Sequence, residues 1–515
     1  MFSSEAWLAN PSSGFYNGVI DQSVRFEDGD SSNLYQSFSS GNQKTFTISF
    51  WMKRATISSY MNVFDVGSSG SSYCQTRFQN DDQLLIVSEN GGGVVYNFET
   101  TQKFRDTTNW YHIVIAFDTT QSTESDRFKL YVNGSQVTAF DTATYPSLNT
   151  DTLINSSATH YIGKLAYAGQ FYFDGYLAEY NFVDGTALAP TSFGETKNGV
   201  WIPKKISGLT YGTNGFRLTF ADSSALGDDT SGGTNDFSVA GLASTDVVKD
   251  TPENNFSTWN SLFRGGEQSS SISASSTLSE GNLQVSVPTN SYMGNTFRPT
   301  SGKWYCEIYL KTRGSVNGEI DYGWLQATTY SGATAHGGVA NKWGAYYHGY
   351  AAARYVLYDE ASQLGSDITY EIAQGDVLQL AWDIDNAKGW IGVNNTWYRT
   401  NASDGNPSAG SNEAFSWTAD EAQNLQVYVA NGTSTDVHVA NFGQDSTFAG
   451  SISASGNTDA NGYPFKYTPP TGFLALCSAN LPEPTISPNK SSQADDHFNT
   501  VLYTGNGSTT QNISI

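Results

Sequence analysis

The chain has 515 residues, a length that predicts about three ordinary domains or two large β domains. Hydrophobic residues make up 38 % of the chain and charged residues only 15 %, so it can form real cores while Ser, Thr, Asn and Gly keep its surface soluble. That balance is typical of β-sheet proteins. With 26 Lys and Arg against 49 Asp and Glu, the formal charge of −23 disfavours nucleic acid and anionic membranes as partners.

Cysteine content and targeting signals exclude further classes. The chain has three cysteines, Cys74, Cys306 and Cys477, which cannot all pair with one another. None lies in a CxxC or Cys/His cluster, so neither a disulfide framework nor a zinc site is indicated. The N-terminus lacks the basic start and apolar run of a signal peptide, and no segment reaches the ~20 apolar residues of a membrane span. We expect a protein made in a cytosol and not inserted into a membrane.

The first block of the chain, residues 1–205, alternates polar and apolar residues as strands do. In KTFTISFWMK (44–53), the side chains of Phe46, Ile48 and Phe50 share one face, which predicts a half-buried strand. Comparable segments recur every ten to fifteen residues, and the clearest of them are 110–117, 127–140 and 171–185. The block is therefore predicted to be all-β.

An Asn133-Gly134 pair separates two alternating runs within residues 127–140. Both residue types tolerate the positive φ angles of a type I′ turn, which matches the twist of a tight hairpin. The sequence therefore predicts a β-hairpin at this point.

Residues 206–258 differ in character, because they are acidic and rich in turns, with GFRLTF (215–220) as their only strand-like run. We interpret them as a connector containing a strand. Clustered carboxylates are ligands that calcium prefers, although the spacing matches no familiar calcium loop, and solvated acidic turns are the simpler explanation. The candidate metal ligands are Asp222, Asp228, Asp229 and Asp236.

Residues 259–481 form a second predicted β block. GKWYCEIYLK (302–311) alternates as a strand, and residues 375–398 contain two strands joined by a turn at 385–389. Residues 425–432 and 437–443 are predicted as a further strand pair. Residues 482–515 read as a Pro/Ser linker and a C-terminal hairpin arm, which would have to dock on something because an isolated hairpin is barely stable.

Five segments of the first block, taken in order, resemble the laminin-G-like members of the concanavalin A-like lectin/glucanase family. They are SVRFEDGDSSNLY (23–35), FTISFWMKR (46–54), WYHIVIAFD (110–118), KLYVNGSQV (129–137) and FDGYLAEYNFVDGTAL (173–188). The resemblance implies a jelly-roll β-sandwich. It says little about function, because this sandwich hosts lectins, adhesive modules and hydrolases.

The second block resembles a SPRY/B30.2 domain, which is itself a concanavalin A-like sandwich. The segments that carry this resemblance are GKWYCEIYL (302–310), YGWLQ (322–326), GDVLQLAWDIDNAKGWIGVNNTWY (375–398), VYVANGTSTDVHVANFG (427–443) and YPFKYTPPTGFLALC (463–477). The expected fold class is therefore all-β, with two antiparallel sandwiches joined by the turn-rich connector.

The order of a lectin-like sandwich, a connector and a SPRY-like sandwich resembles structural proteins of tailed bacteriophages, such as tail-fibre proteins. This resemblance implies a virion-surface protein, made in the host cytoplasm and released by lysis. Its partners would be other virion proteins and host-surface glycans. The chain would form a homo-oligomer, and a trimer is favoured if it belongs to a fibre.

Catalytic patterns are missing from the sequence. A glycoside hydrolase needs paired carboxylates facing one groove, whereas Asp174 and Glu179 are five apart and predicted to face opposite sides of a strand. Asp383 and Asp385 share a face but lead into a turn, where such residues bond their own backbone. His112 is most simply a hydrogen-bonded strand residue. We therefore expect a non-enzymatic protein; a glucanase-type hydrolase and a secreted bacterial adhesion module are the alternatives.

An aromatic run, residues 341–360, is the candidate ligand surface. Tyr and Trp rings stack on sugars and anchor interfaces, but alternate members of a strand must face the core, and an ordinary aromatic core is the competing explanation. The candidate ligand-binding residues are Trp343, Tyr346, Tyr347, His348, Tyr350 and Tyr355. Apart from calcium, no cofactor is predicted.

Overall fold

The computed structural model describes residues 15–263, 276–289, 291–315, 317–326, 341–348, 354–360, 362–368, 370–400, 402–432 and 435–482. Strands account for 46 % of the residues and helices for 4 %. The described residues fold into two β-sandwiches, so the all-β prediction is confirmed. Within these ranges no helix has the length and apolar character needed to cross a membrane.

The first sandwich is built from short, mostly antiparallel-paired strands. They are β1 (Ser23–Phe26), β2 (Asn33–Ser37), β3 (Thr45–Arg54), β4 (Met61–Ser69), β5 (Ser72–Phe78), β6 (Gln83–Asn90), β7 (Gly93–Lys103), β8 (Tyr111–Asp118), β9 (Phe128–Val132), β10 (Ser135–Gln136), β11 (Phe140–Thr144), β12 (Thr159–Ile162), β13 (Gly175–Asp184), β14 (Gly194–Lys197), β15 (Val200–Pro203), β16 (Phe216–Leu218), β17 (Ser238–Ala240) and β18 (Val247–Val248). Short 3-10 turns occupy Glu124–Asp126, Pro190–Ser192 and Ser244–Asp246.

These strands form two facing sheets. Sheet A has the order β10-β9-β8-β3-β13-β1-β18, with β16 on β13, and sheet B has the order β11-β7-β6-β5-β4-β12-β2-β17. Aromatic rings join the sheets across the core: Phe98 of sheet B stacks on Phe128 of sheet A at 3.7 Å between ring centroids. Strands β14 and β15 pair only with each other among the described residues and form a hairpin.

Strand β3 is buried on both faces, whereas its alternation predicted a half-buried strand. Phe46, Ile48 and Phe50 enter the core as predicted. The opposite face is also covered, because Trp51 packs against Ile20 and other apolar residues outside sheet A. The outer face of sheet A is therefore a second, smaller packing layer.

The connector belongs to the first sandwich. Its strands β16, β17 and β18 pair with β13, β2 and β1 respectively, so they extend both sheets. The sandwich therefore continues to Val248, past the boundary predicted at residue 205. Sequence periodicity missed two of these strands because they have only three and two residues.

The second sandwich has its own set of strands and one short helix. They are β19 (Thr277–Ser279), β20 (Gln284–Val287), β21 (Ser291–Gly294), β22 (Lys303–Thr312), β23 (Glu319–Gln326), β24 (Lys342–His348), β25 (Arg354–Asp359), β26 (Ser362–Ile368), β27 (Val377–Asp383), β28 (Lys388–Val393), β29 (Thr396–Tyr398), β30 (Phe415–Ser416), α1 (Ala419–Ala422), β31 (Leu425–Asn431), β32 (Asp436–Asn441), β33 (Asn457–Thr458), β34 (Pro464–Phe465) and β35 (Leu474–Ala475). Further 3-10 turns lie at Pro407–Ala409 and Ser478–Asn480.

Its two sheets again enclose an aromatic core. Sheet C has the order β19-β20-β32-β22-β27-β28-β29, with β30 on β28 and β35 parallel to β22, and sheet D has the order β21-β31-β23-β24-β25-β26. Trp324 of sheet D packs edge-on against Trp382 of sheet C at 6.0 Å. The turn predicted between β27 and β28 is confirmed.

Strands β31 and β32 do not form the pair that the sequence predicted. Strand β31 pairs with β21 and β23 in sheet D, whereas β32 pairs with β20 and β22 in sheet C. The chain therefore crosses between sheets at this point, which local alternation does not reveal. The predicted C-terminal hairpin arm lies outside the described residues.

Buried polar contacts join the two sandwiches. The Arg25 guanidinium of the first sandwich contacts Asp445 of the second at 3.3 Å and Glu280 at 3.2 Å. The buried Lys53 ammonium donates to Asp250 at 2.8 Å and to Asn255 at 2.7 Å, both in the segment that leads to the second sandwich. The joint is thus a desolvated, hydrogen-bonded contact.

Candidate functional site

The aromatic run predicted as a ligand surface lies mostly inside the second sandwich. The side chains of Trp343, Tyr347 and Tyr355 are at most 1 % exposed and belong to its core. Tyr355 is also hydrogen-bonded to Tyr322 through the two hydroxyls at 2.7 Å. The structure therefore corrects the assignment of these three residues: they pack the core because they occupy the inward positions of β24 and β25.

The other residues of that run are placed differently. Tyr346 points to the opposite face of β24, is 9 % exposed and lies 6.1 Å from the ring of Tyr358. His348 ends β24, and Tyr350 lies outside the described residues. Among the described side chains of the run, Tyr346 therefore stays a candidate on the outer face of sheet D.

Three of the four connector aspartates stabilise turns. Asp229 accepts hydrogen bonds from the backbone amides of Arg217, Ser231 and Asn235. Asp236 accepts from the amide of Asp229 at 2.9 Å, and Asp222 accepts from Ser224. The exposed Asp228 side chain forms no hydrogen bond with another described residue. Among the described residues no three His, Cys, Asp or Glu side chains are grouped as a metal site, so the structure does not support the calcium prediction here.

A different site lies on the outer face of sheet A, around Trp201. Its indole Nε1–H donates to Nδ1 of His112 at 3.0 Å, and the two ring planes lie within 20° of each other with their centroids 5.8 Å apart. Trp51 is stacked on the same imidazole at 4.5 Å between centroids. Trp201 therefore meets the Trp51–His112 stack edge to edge, and it is the most exposed of the three rings.

His112 is a hydrogen-bonded strand residue, as the sequence predicted, and both of its ring nitrogens have partners. Since Nδ1 accepts from Trp201, the proton is on Nε2, which lies 3.0 Å from the Ser49 hydroxyl. Burial lowers the pKa of His112 to about 3, so the ring stays uncharged at neutral pH. The stack therefore fixes the orientation of Trp201 without using any charge.

The predicted Asn133-Gly134 hairpin supports one edge of Trp201. The turn has φ angles of 48° and 77°, which confirms the left-handed pair required for type I′. A Cβ atom on Gly134 would lie 2.3 Å from Cε3 of the indole ring, and one on Gly194 would lie 2.5 Å from Cζ2. Both glycines are therefore required for the ring to occupy this position.

An open groove with a cavity volume of ≈ 570 Å³ extends from Trp201 along the β9–β10 hairpin. None of its lining residues is charged. They are Thr101, Gln102, Val132, Asn133, Ser135, Gln136, Val137, Thr138, Ala139, Thr196, Gly199 and Trp201.

Most polar side chains of the groove are free to bind a ligand. Gln102, Ser135, Gln136, Thr138 and Thr196 are exposed, and none forms a side-chain hydrogen bond with another described residue. Hydroxyl and amide groups both donate and accept, so they complement a ligand that does the same. With Trp201 at one end, the groove combines an oriented aromatic face with neutral polar groups.

The carboxylates considered for catalysis are engaged elsewhere. Glu179 has a φ of 48° at a bulge in β13 and forms a two-point ion pair with Arg217, at 2.7 and 3.0 Å. Asp174 is 3 % exposed. Asp383 accepts from Asn386 in the β27–β28 turn, and Asp385 accepts from the amide of Gly302. The predicted turn-supporting role of Asp383 is thus confirmed.

A comparison with known families identifies the fold of the first sandwich. Residues 17–191 match the concanavalin A-like lectin/glucanases superfamily. The first sandwich therefore has the concanavalin A-like, lectin-like fold that the sequence predicted. Curated protein sequences contain no match to the chain.

Solved structures with similar architecture include laminin, SPRY and carbohydrate-binding domains. Domains LG4-5 of the mouse laminin α1 chain share 10 % identity, with 88 % of each chain covered and a TM-score of 0.27. The SPRY domain of human HERC1 shares 14 % identity over 31 % of this chain and 87 % of that domain, with a TM-score of 0.22. The CBM40 of Ruminococcus gnavus IT-sialidase shares 13 % identity over 30 % and 92 %, with a TM-score of 0.23. Since these scores are low, the lectin-like assignment rests on the family match of residues 17–191.

Proposed function

We propose that this chain is a non-enzymatic glycan-binding adhesion protein, and that the groove beside Trp201 is its binding site. The observation that carries the proposal is a half-buried, oriented indole ring at the end of a groove lined only by uncharged side chains. The family match supports it, because the matched superfamily comprises lectins and glucanases, both of which engage sugars.

Sugar chemistry explains why this combination is suitable. The C–H face of a pyranose packs on an indole, while its hydroxyl groups require donors and acceptors around the ring. Trp201 is already oriented by His112, Gly134 and Gly194, so binding a sugar would cost little side-chain entropy. With a volume of ≈ 570 Å³, the groove has room for more than a single small group.

Substituting Trp201 tests the binding site. We expect Trp201→Ala to weaken glycan binding about tenfold or more, the cost of losing about 1.4 kcal/mol. Trp397→Ala is the matched control, since Trp397 is a partly buried tryptophan of the second sandwich outside the groove. Screening the full chain on a glycan array and titrating the hits measures the effect; equal loss in both variants would assign it to general destabilisation.

The absence of catalysis is part of the proposal, and a glucanase-type hydrolase is the alternative. No Asp or Glu lines the described groove, whereas glycoside hydrolysis ordinarily needs two carboxyl groups flanking the bond. Mass spectrometry of oligosaccharides after long incubation distinguishes the two functions. Unchanged oligosaccharides that still bind support adhesion, and shortened products would support the hydrolase.

The setting we propose is the surface of a tailed-bacteriophage particle, because the order of the two sandwiches resembles that of tail-fibre-type proteins. Other virion proteins would then be partners, and several copies, most simply a trimer, would multiply weak binding at each site. Phage structural genes next to this gene would support the setting, and secretion genes would favour a bacterial adhesion module. Light scattering of the full chain tests the oligomer.

A further inference from the structure

A small second pocket adjoins the groove at Trp201. It has a cavity volume of ≈ 40 Å³, and both Trp201 and Asn133 line it as well as the groove. One water molecule needs about 10–15 Å³ on this scale, so the pocket has room for a group of a few atoms and not for a sugar ring. A ligand in the groove could therefore extend only a substituent into it.

Tryptophan rings form an apolar part of the pocket wall. Trp51 and Trp110 are 5 % and 6 % exposed, and both line the pocket together with Trp201. The indole N–H groups of Trp110 and Trp201 are already used, since they donate to Asp250 and to His112 at 3.0 Å each. These rings therefore give an apolar group of a ligand a surface to pack on.

Two side-chain amides supply the polar part of the pocket. Oδ1 of Asn133 accepts from the His112 amide at 2.8 Å, and Oδ1 of Asn109 accepts from the Trp110 amide at 3.2 Å. These contacts fix the amides so that each Nδ2 group has no partner among the described residues. The free groups in the pocket are thus hydrogen-bond donors, and they require an acceptor on the ligand.

Tyr16, Asn255 and Ser478 are the other polar residues on the pocket wall, and Asn255 and Ser478 are satisfied within the protein. Asn255 accepts from Lys53 at 2.7 Å and donates to the Thr108 carbonyl at 2.6 Å. The backbone amide of Asn255 also donates to the Ser478 hydroxyl at 2.9 Å, so the end of the second sandwich closes the pocket. The pocket therefore exists only where both sandwiches are present, and it must be tested in the full chain.

We infer that this pocket accepts the acetamido group of an N-acetylhexosamine. That group combines one carbonyl acceptor for the amides of Asn109 and Asn133 with a methyl group for the tryptophan wall. A hydroxyl group at the same position lacks the apolar end, and a carboxylate would enter a pocket with no cation on its wall. The inference rests on the proposed glycan binding and names the class of glycan.

A matched pair of sugars tests the inference directly. Chitotriose and cellotriose have the same linkage and length and differ at the acetamido position. Calorimetric titration of the full chain is expected to show chitotriose binding at least about tenfold tighter. In saturation-transfer NMR the acetamido methyl protons should receive the strongest transfer. Equal affinities, or a methyl signal weaker than those of the ring protons, would overturn the inference.

Two near-isosteric variants assign the preference to the amides. Asn109→Asp and Asn133→Asp keep the Oδ1 acceptor and replace the free donor, so each should reduce the preference for chitotriose severalfold. Asn395→Asp is the control, because Asn395 is an exposed turn residue with a φ of 64° in the second sandwich. A preference that both variants retain would refute the assignment.

Failure of the inference and failure of the proposed function give different results. If other glycans bind and depend on Trp201 while chitotriose does not bind, the acetamido assignment is wrong and the adhesion function stands. If no glycan binds the native chain, the proposed function itself is refuted.

Discussion

Gly134 and Gly194 leave the space into which the indole ring of Trp201 fits. The first also has a φ of +77°, a conformation that costs an L-residue about 1 kcal/mol. A side chain at either position would displace the ring that forms the end of the groove. The two glycines, in the β9–β10 turn and at the start of β14, therefore determine whether the groove exists.

We expect Gly134→Ala to destabilise the protein and to abolish glycan binding together. Gly91→Ala is the matched control, because Gly91 has a φ of +60° and nothing within 4 Å of an added Cβ atom. Both variants should lose about 1 kcal/mol from backbone strain, and only Gly134→Ala should lose binding. Urea unfolding and glycan titration measure the two effects; unchanged binding in Gly134→Ala would contradict the described position of Trp201.

At the scale of single residues, the sequence predicted the Asn133-Gly134 turn and the hydrogen-bonded state of His112. The Asn-Gly dipeptide specifies its own backbone, so the hairpin could be inferred locally. The role of Trp201 could not, because His112 lies 89 positions away and the contact depends on how β15 folds over sheet A. The aromatic run at 341–360 has the composition of a ligand surface, but Trp343, Tyr347 and Tyr355 pack the core.

Among the elements, β13 shows how one irregular residue changes the chemistry of a strand. A bulge at Glu179 breaks the two-residue alternation, which the sequence argument had assumed to be regular from Asp174 onward. The bulge directs the carboxylate toward Arg217 of β16, so the connector strand is held by an ion pair as well as by its backbone. Since no local pattern marked the bulge, this contact could not be predicted.

Removing Arg217 should loosen the connector strand. The pair is mostly buried, with 25 % of the Arg217 side chain and 10 % of the Glu179 side chain exposed, so Arg217→Met leaves a desolvated carboxylate. We expect a loss of about 1–3 kcal/mol in the free energy of unfolding and faster proteolysis within residues 206–258. Glu179→Gln in the same chain should restore part of the loss.

The exposed pair Arg399–Asp404 provides the comparison for that experiment. It has the same two-point geometry, with distances of 3.0 and 2.8 Å, but both side chains are at least 40 % exposed. Solvent screens such a pair, so Arg399→Met should change stability little. Equal effects of the two methionine variants would refute a structural role for the Glu179–Arg217 pair.

For the whole molecule, the joint between the sandwiches contains more acidic groups than Arg25 can balance. Glu27 accepts a hydrogen bond from the backbone amide of Glu280, and Asp174 lies close enough to interact with it. Burial, reinforced by neighbouring carboxylates, raises the pKa of Glu27 to about 8 and that of Asp174 to about 7. The sequence suggested two sandwiches but not this joint, because its members come from segments hundreds of residues apart.

Stability should therefore fall as the pH rises toward 8. In the unfolded chain Glu27 has its ordinary pKa of 4.5, so above that pH the folded state binds more protons and loses stability as it releases them. Three buried histidines have pKa values lowered to about 3 to 4: His112, His160 and His438. They make stability rise with pH, and only below pH 6.5, where histidines of the unfolded chain bind protons. The range from pH 6.5 to 9 therefore isolates the carboxyl groups.

Glu27→Gln should flatten the pH profile in this range, because an amide keeps an acceptor for the Glu280 amide and cannot ionise. Each unit of raised pKa corresponds to about 1.4 kcal/mol, so the native chain should lose on the order of a few kcal/mol that the variant retains at pH 9. Urea unfolding at pH 6.5, 7.5 and 9 measures the difference, with the exposed Glu124→Gln as control. If the native and Glu27→Gln profiles were parallel, the joint would not hold a proton at neutral pH. A shallower profile in the variant, in which Asp174 still titrates, would mean that alkaline conditions weaken the contact between the sandwiches, and with it the pocket that Asn255 and Ser478 close.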